Sequence, residues 1–302
     1  MSLQLASWAS NEIDAICRKP YGVYERALRE HYRQYFATHP ELAGDHPVKA
    51  KDLAAALPPG ADFLKEYLPE KLRHLQHLSG RSSQVIALAI LGLAWRRDPS
   101  VRWLENALAL PGVLRSPAPT VRFEVELDSA LLNESPLVST IDFLVEDEAA
   151  VICVEAKFGE DGMGQCSCPQ GAPANANCSQ KVLLRPLYWE TAREVFFLPD
   201  RVPGKPCPIS SSYQAIRNAA AARALAGEGR RAVFVLLYDE RNPYFHAMDG
   251  WPGWPELLTR TLKDAECLER LWFRAVSWQE LIRQLPLEEG ELEWAREKHA
   301  LA

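Results

Sequence analysis

No uncharged apolar run in the chain approaches the roughly 18 residues that a membrane-spanning helix needs. The best candidate, Val85–Trp95, is too short, so no membrane partner is expected. The first residues, Met1–Ser10, lack the basic start and long apolar core of a signal peptide. The expectation is a cytoplasmic protein whose seven cysteines stay reduced. Neither a glycine-rich phosphate loop nor a dinucleotide fingerprint is present, and the Ser and His content suggests no hydrolase triad. His31, His39, His46, His74 and His77 fall in the N-terminal part without a metal-binding spacing. Positive charge is in deficit: 34 Lys and Arg stand against 40 Asp and Glu, a net charge of −6. That balance argues against a protein that coats nucleic acid through a uniformly basic surface. It leaves room for an enzyme that holds a short stretch of phosphate in a local basic groove.

What is present is an ordinary globular chain of 302 residues, enough for one or two domains. There is no internal repeat and no low-complexity tail. Residues 8–80 are helical in pattern, with breaks at Pro40, Pro47 and Pro58-Pro59-Gly60. They form an N-terminal helical extension, 1–80, ahead of an α/β domain, 81–302. A second helix is predicted from about Ser83 to Arg97; it is apolar almost all round, hence buried on most sides, and Ser82 or Ser83 could cap it.

The period then changes to two. Val121, Phe123, Val125 and Leu127 alternate with Arg122, Glu124 and Glu126. Val138–Glu146 and Ala150–Phe158 follow as strands joined by the acidic turn Glu146-Asp147-Glu148, a spacing that predicts an antiparallel meander. After a loop rich in Gly, Pro, Asn and Cys (159–180), helices are predicted at Lys181–Phe197 and Ser211–Ala226. A central strand is predicted at Ala232–Tyr238. The tail adds a helix near Pro255–Glu266, a strand at Leu271–Val276 and a helix from Ser277. The fold class is α/β, a mixed β-sheet flanked by helices.

The segments that carry chemistry are Ile141-Asp142-Phe143-Leu144-Val145 and Val151-Ile152-Cys153-Val154-Glu155-Ala156-Lys157-Phe158. Residues two apart on a strand share a face, so Glu155 and Lys157 project together, and antiparallel pairing can bring Asp142 alongside. Charged side chains are depleted from central strands and rarely buried unless paired or bound to metal. Here three of them interrupt two of the most apolar strands in the chain. The bland alternative is an ion pair at the frayed end of a sheet.

An Ile-Asp strand followed by an apolar strand ending Glu-Ala-Lys resembles the core of the PD-(D/E)XK, restriction-endonuclease-like superfamily. The predicted helix–strand–strand–strand–helix–strand order from about Ser82 to Tyr238 is similar too. The resemblance implies that 81–302 is a nuclease domain with αβββαβ order. It implies Asp142 and Glu155 as ligands of Mg²⁺ or Mn²⁺ and Lys157 as the catalytic lysine. It implies DNA, more than RNA, as the partner, in defence or repair. A non-catalytic nucleic-acid-binding or interaction module on the same fold is the alternative. Cutting both strands of a duplex would call for a homodimer. The sequence departs from the motif in one place, with Ile141 where the family name has proline.

Family members often supply a further carboxylate from the preceding helix or strand. Glu124 is the preferred candidate, ahead of Glu126 and Glu105, with Glu160 at the rim. Tyr213-Gln214-Ala215-Ile216-Arg217 resembles the Gln-bearing helix of exonuclease-like and CRISPR-adaptation-like branches of the superfamily. That likeness gives Gln214 a catalytic place and Arg217 a nucleic-acid contact; the alternative is that Ser211 and Gln214 merely close the helix start as a capping box. A basic ridge could extend through Arg223, Arg230 and Arg231. Cys166, Cys168, Cys178 and Cys207, spaced C-x-C-x9-C-x28-C, offer four thiolates for Zn²⁺ or an iron–sulfur cluster, although the spacing is not that of a standard finger.

Overall fold

A computed structural model describes Leu5 and residues 8–73, 77–133, 140–164, 187–199 and 207–301. Helix α1 (Ser10–Thr38) runs 29 residues and ends before Pro40. A four-residue helix, α2 (Leu53–Ala56), is capped by Asp52, whose Oδ1 accepts from the Ala55 amide at 2.8 Å. Helix α3 (Ser83–Arg97) matches its predicted bounds. Ser82 caps it through the Val85 amide, and every residue from Gln84 to Ala94 is buried. A short helix the periodicity did not reveal, α4 (Arg102–Ala107), leads to the sheet.

The sheet has five strands in sequence order: β1 (Thr120–Glu126), β2 (Thr140–Glu146), β3 (Ala150–Ala156), β4 (Arg231–Tyr238) and β5 (Trp272–Ser277). The first three form the antiparallel meander, and β4 and β5 join in parallel. The turn between β2 and β3 is tight because Asp147 Oδ1 accepts from the amides of Ala149 and Ala150 at 2.8 and 2.9 Å. Parallel pairing of β3 with β4 requires a crossover, supplied by α5 (Tyr188–Glu194) and α6 (Tyr213–Ala226). Helix α7 (Trp254–Cys267) precedes β5; α8 (Trp278–Ile282) and α9 (Glu289–His299) follow it. Ser277 caps α8 through the Glu280 amide at 3.1 Å.

Both faces of the sheet are covered. On one, Phe143, Val145, Ile152, Val154, Val233 and Val235 pack with α3, with Leu28, Tyr32 and Leu64 of the first 80 residues, and with Trp294 of α9. On the other, Leu144, Val151, Cys153, Phe234 and Leu236 pack under α5, α6 and α7. Double-sided burial explains why β3 and β4 are apolar without alternation. Cys153 is the small buried hydrophobe its setting suggested. Cys207 is buried on the α6 side, while Cys166, Cys168 and Cys178 lie outside the described residues.

The regular alternation expected of β1 fails at one residue. Glu124 takes a left-handed φ of 47°, so it and Phe123 are both buried while Glu126 stays exposed. The two acids therefore do not share a polar face.

Candidate active site

Strand register sets the site. Phe123 pairs with Phe143 and Val125 with Ile141, which puts Glu124 opposite Asp142. On the next strand Phe143 pairs with Val154, and one step further along Asp142 stands opposite Glu155. Three carboxylates thus lie in a row across β1, β2 and β3. The ladder between β2 and β3 opens at this step, and the Asp142 side chain takes over: its Oδ2 accepts from the Ala156 amide at 2.7 Å. Glu155 is 1% exposed, Glu124 3% and Lys157 6%. Asp142 is half-buried.

Lys157 follows the last residue of β3, but its amide continues the pairing by donating to Leu237 O at 2.8 Å. Its Nζ lies 2.6 Å from Glu155 Oε1 and donates to Gln214 Oε1 at 2.8 Å. The other Glu155 oxygen accepts from the Asn218 side chain. Gln214 and Asn218 are four apart on α6, hence on one face, and together they fix the Glu155–Lys157 pair from above the strand. Glu160, past the strand end, accepts from the Phe158 amide at 2.6 Å and from the Ser83 hydroxyl at the start of α3.

The charges perturb one another. Burial, then the nearby Glu155 and Glu124, push the Asp142 carboxyl well above the usual carboxylate range. Burial raises Glu124 to about 7, with Glu155 adding to the rise and a hydrogen bond from Gln84 opposing it. For Lys157, burial disfavours the ammonium. The carboxylates of Glu155, Glu160 and Asp142 outweigh that and hold it protonated above the ordinary lysine range.

Asp142, Glu155, Lys157, Glu160 and Gln214 line a cleft of about 310 Å³ together with Ser79, Arg81, Ser82, Ser83 and Gly159. The chain after β3 is pinned from several sides. Tyr21 OH donates to Gly159 O at 2.7 Å, and Asn242 Nδ2 reaches Phe158 O and Glu160 O at 3.1 and 2.8 Å. Trp278 Nε1 donates to Lys157 O at 3.0 Å. Gly164 has a φ of +69° and sits so close to Gln214 that a Cβ would collide with its side chain. Gly164→Ala is therefore expected to cost roughly 1–2 kcal/mol from the backbone alone and to push Gln214 off Lys157. A thermal melt with unchanged midpoint would contradict it.

The structure brings Asp142, Glu155, Lys157, Gln214 and Glu160 to one cleft, with Glu124 behind Asp142. Gln214 does not close a capping box: α6 starts at Tyr213 without a side-chain cap, and Ser211 Oγ donates to Trp8 O at 3.2 Å instead. Arg217 is not among the residues lining the cleft; its guanidinium lies 5.1 Å from the centre of the Tyr213 ring. Glu105 belongs elsewhere, accepting from Arg102 and from the Leu114 amide at 2.6 and 2.8 Å. Of the arginines in the expected basic ridge, Arg223 and Arg230 are paired to Glu194 and Glu146 at 3.5 and 3.0 Å, and Arg231 lies over the Trp272 ring. Asn218 was missed, although its spacing from Gln214 was there to be read. Arg81 carried no local signal.

Fold and site together define a mixed α/β protein with a carboxylate row and a buried lysine at the carboxyl end of a central strand. The chain belongs to a restriction-endonuclease-like nuclease family, described as restriction endonuclease associating with ARP, whose model matches residues 8–298. No curated protein and no solved structure matches it.

Proposed function

We propose that this protein is a divalent-metal-dependent endonuclease of PD-(D/E)XK type that hydrolyses phosphodiester bonds in DNA. The observation that carries the proposal is the Glu124–Asp142–Glu155 row with Lys157 at its end. Such a crowd of buried carboxylates is costly without a counter-cation. One of its oxygens, Glu124 Oε2, is buried with no hydrogen-bond partner.

Among the described residues no group of three His, Cys, Asp or Glu side chains forms a ready metal cage. Mg²⁺ keeps several waters and takes only one or two carboxylates plus substrate phosphate, a share that Asp142 and Glu155 can supply. Asp142 and Glu155 would hold the ion, with Glu124 behind them. When bound, it would activate water and neutralise charge on the phosphoryl group. The chain's own work is orientation. Gln214 and Asn218 hold the Glu155–Lys157 pair, and Lys157, kept protonated, donates to the reacting phosphate instead of accepting a proton.

Because Glu124 is buried in the row and Glu126 is exposed, Glu124→Gln is expected to slow cleavage on the order of tenfold or more. Glu126→Gln should stay near the wild-type rate. Equal rates in the two variants would remove Glu124 from the site.

The decisive assay incubates plasmid, linear and single-stranded DNA, and RNA, with Mn²⁺ or Mg²⁺ and with EDTA, using wild-type protein and Asp142→Asn. Metal-dependent cutting by wild type alone supports the proposal. Binding without cutting by either protein would favour an interaction module, the role suggested by the partner in the family's description.

A further inference from the structure

Arg81 sits just before α3 and lines the cleft together with Asp142, Glu155 and Glu160. Its NH1 is held by Glu25 of α1 at 2.6 Å, and Glu25 is itself bonded to Arg29 at 3.0 Å. The rest of the guanidinium is less committed, and Nε is buried with no hydrogen-bond partner. A guanidinium N–H left without an acceptor is costly, so its persistence asks for a function. The approach of Arg81 is also built in. Gly159 directly follows the lysine-bearing segment, and a Cβ there would meet Arg81 Cβ at 2.9 Å. Glycine is what allows the arginine to lie this close to the end of β3.

The charge balance of the cleft gives Arg81 a task. Asp142, Glu155 and Glu160 line it, and its other cation, Lys157, already gives two of its three donors to Glu155 and Gln214. A strand of nucleic acid entering this space meets two cations, Lys157 bonded to Glu155 and Gln214, and Arg81 tethered through NH1 to Glu25.

We infer that Arg81 is the phosphate-binding residue of the cleft: it receives a backbone phosphate of the bound strand opposite Lys157 and so sets where the strand lies. The inference rests on the nuclease proposal for its substrate, but not for its test. A guanidinium suits the role because its planar fork matches two phosphate oxygens, which an ammonium cannot do.

Arg81→Gln drops the charge while keeping a donor for Glu25, and Arg81→Lys keeps the charge without the fork. In cleavage of a fluorescein-labelled duplex, Arg81→Gln should raise KM on the order of tenfold, uniformly across sequences, with kcat within about threefold of wild type. In an Asp142→Asn background that binds without cutting, anisotropy against KCl should show the salt slope falling by about one in Arg81→Gln and recovering in Arg81→Lys. Wild-type KM and slope in Arg81→Gln would overturn the inference. If wild type cuts no nucleic acid, the nuclease proposal fails and the binding arm still decides Arg81. Should Arg81→Gln not fold, phenylglyoxal modification of the wild-type protein takes its place: protection of Arg81 by the same duplex supports the assignment, and unprotected modification refutes it.

Discussion

Lys157→Ala is expected to reduce metal-dependent DNA cleavage on the order of a thousandfold, with Asp142→Asn and Glu155→Gln matching it. The size of the loss follows from burial and connection. Lys157 is 6% exposed and in contact with Glu155 at 2.6 Å and Gln214 at 2.8 Å, so its ammonium is held in one place at the end of the carboxylate row. Removing it also leaves Glu155 with only Asn218 as a named partner. Because the three residues act on one another, a double variant of Lys157 and Asp142 should be little worse than either single one. Single-turnover rates with saturating Mn²⁺ measure both effects. Full activity in Lys157→Ala with unchanged metal dependence would sink the assignment, and multiplicative losses in the double variant would show independent roles.

The largest effect on stability is expected at Lys298, far from the cleft in sequence and function. This lysine of α9 is 1% exposed and donates to the carbonyls of Ala56 and Ala55 at 2.5 and 3.4 Å. The rings of Trp294 and Tyr35 lie 5.2 and 5.9 Å away, and among the described residues no carboxylate pairs with it. Burial lowers its pKa from 10.5 to about 7. The folded state thus binds the proton more weakly than the unfolded chain. Stability is full above about 10.5 and falls as the pH drops toward 7, below which the loss is complete. At about 1.4 kcal/mol for each tenfold change in proton affinity, the total is several kcal/mol. Lys298→Met should therefore be the more stable protein at about pH 6, with its advantage shrinking by roughly 2–3 kcal/mol at about pH 9. Titrating groups remote from Lys298 cancel in this comparison; the neighbouring buried His299, held low chiefly by burial and further by the Lys298 charge, does not cancel fully. Urea melts of both proteins at the two pH values measure it, and parallel stability–pH curves would show that Lys298 stays charged in the fold.

Neither lysine announces itself equally in the sequence. Lys157 interrupts an apolar strand two residues after a glutamate, which is a local pattern. Lys298 stands in Glu293-Trp294-Ala295-Arg296-Glu297-Lys298, an ordinary polar helix end, and only the packing of α9 against residues near Ala56 buries it. The same division runs through the whole chain. Helix α3 was legible to its end residues because an apolar run and a capping serine are both properties of neighbours in sequence. The meander was legible because β2 and β3 are apolar and joined by a turn that Asp147 closes. Strand periodicity put Glu155 and Lys157 on one side and Asp142 within reach. What local pattern could not supply is register and approach. Alternation alone put Glu124 and Glu126 on one face; the register that sets Glu124 opposite Asp142, and the left-handed φ at Glu124 with its burial, are what separate the two acids. Asn218 under Glu155, Glu160 on Ser83 and Arg81 against Gly159 all join residues more than 60 positions apart. The sequence by itself determined α3, the strands of the sheet and the Asp-Glu-Lys pattern, since these depend on spacing along one or two elements, but not the short helix α4. The tertiary structure decided which other side chains complete the cleft, since that depends on how α1, α3 and α6 pack around the end of β3.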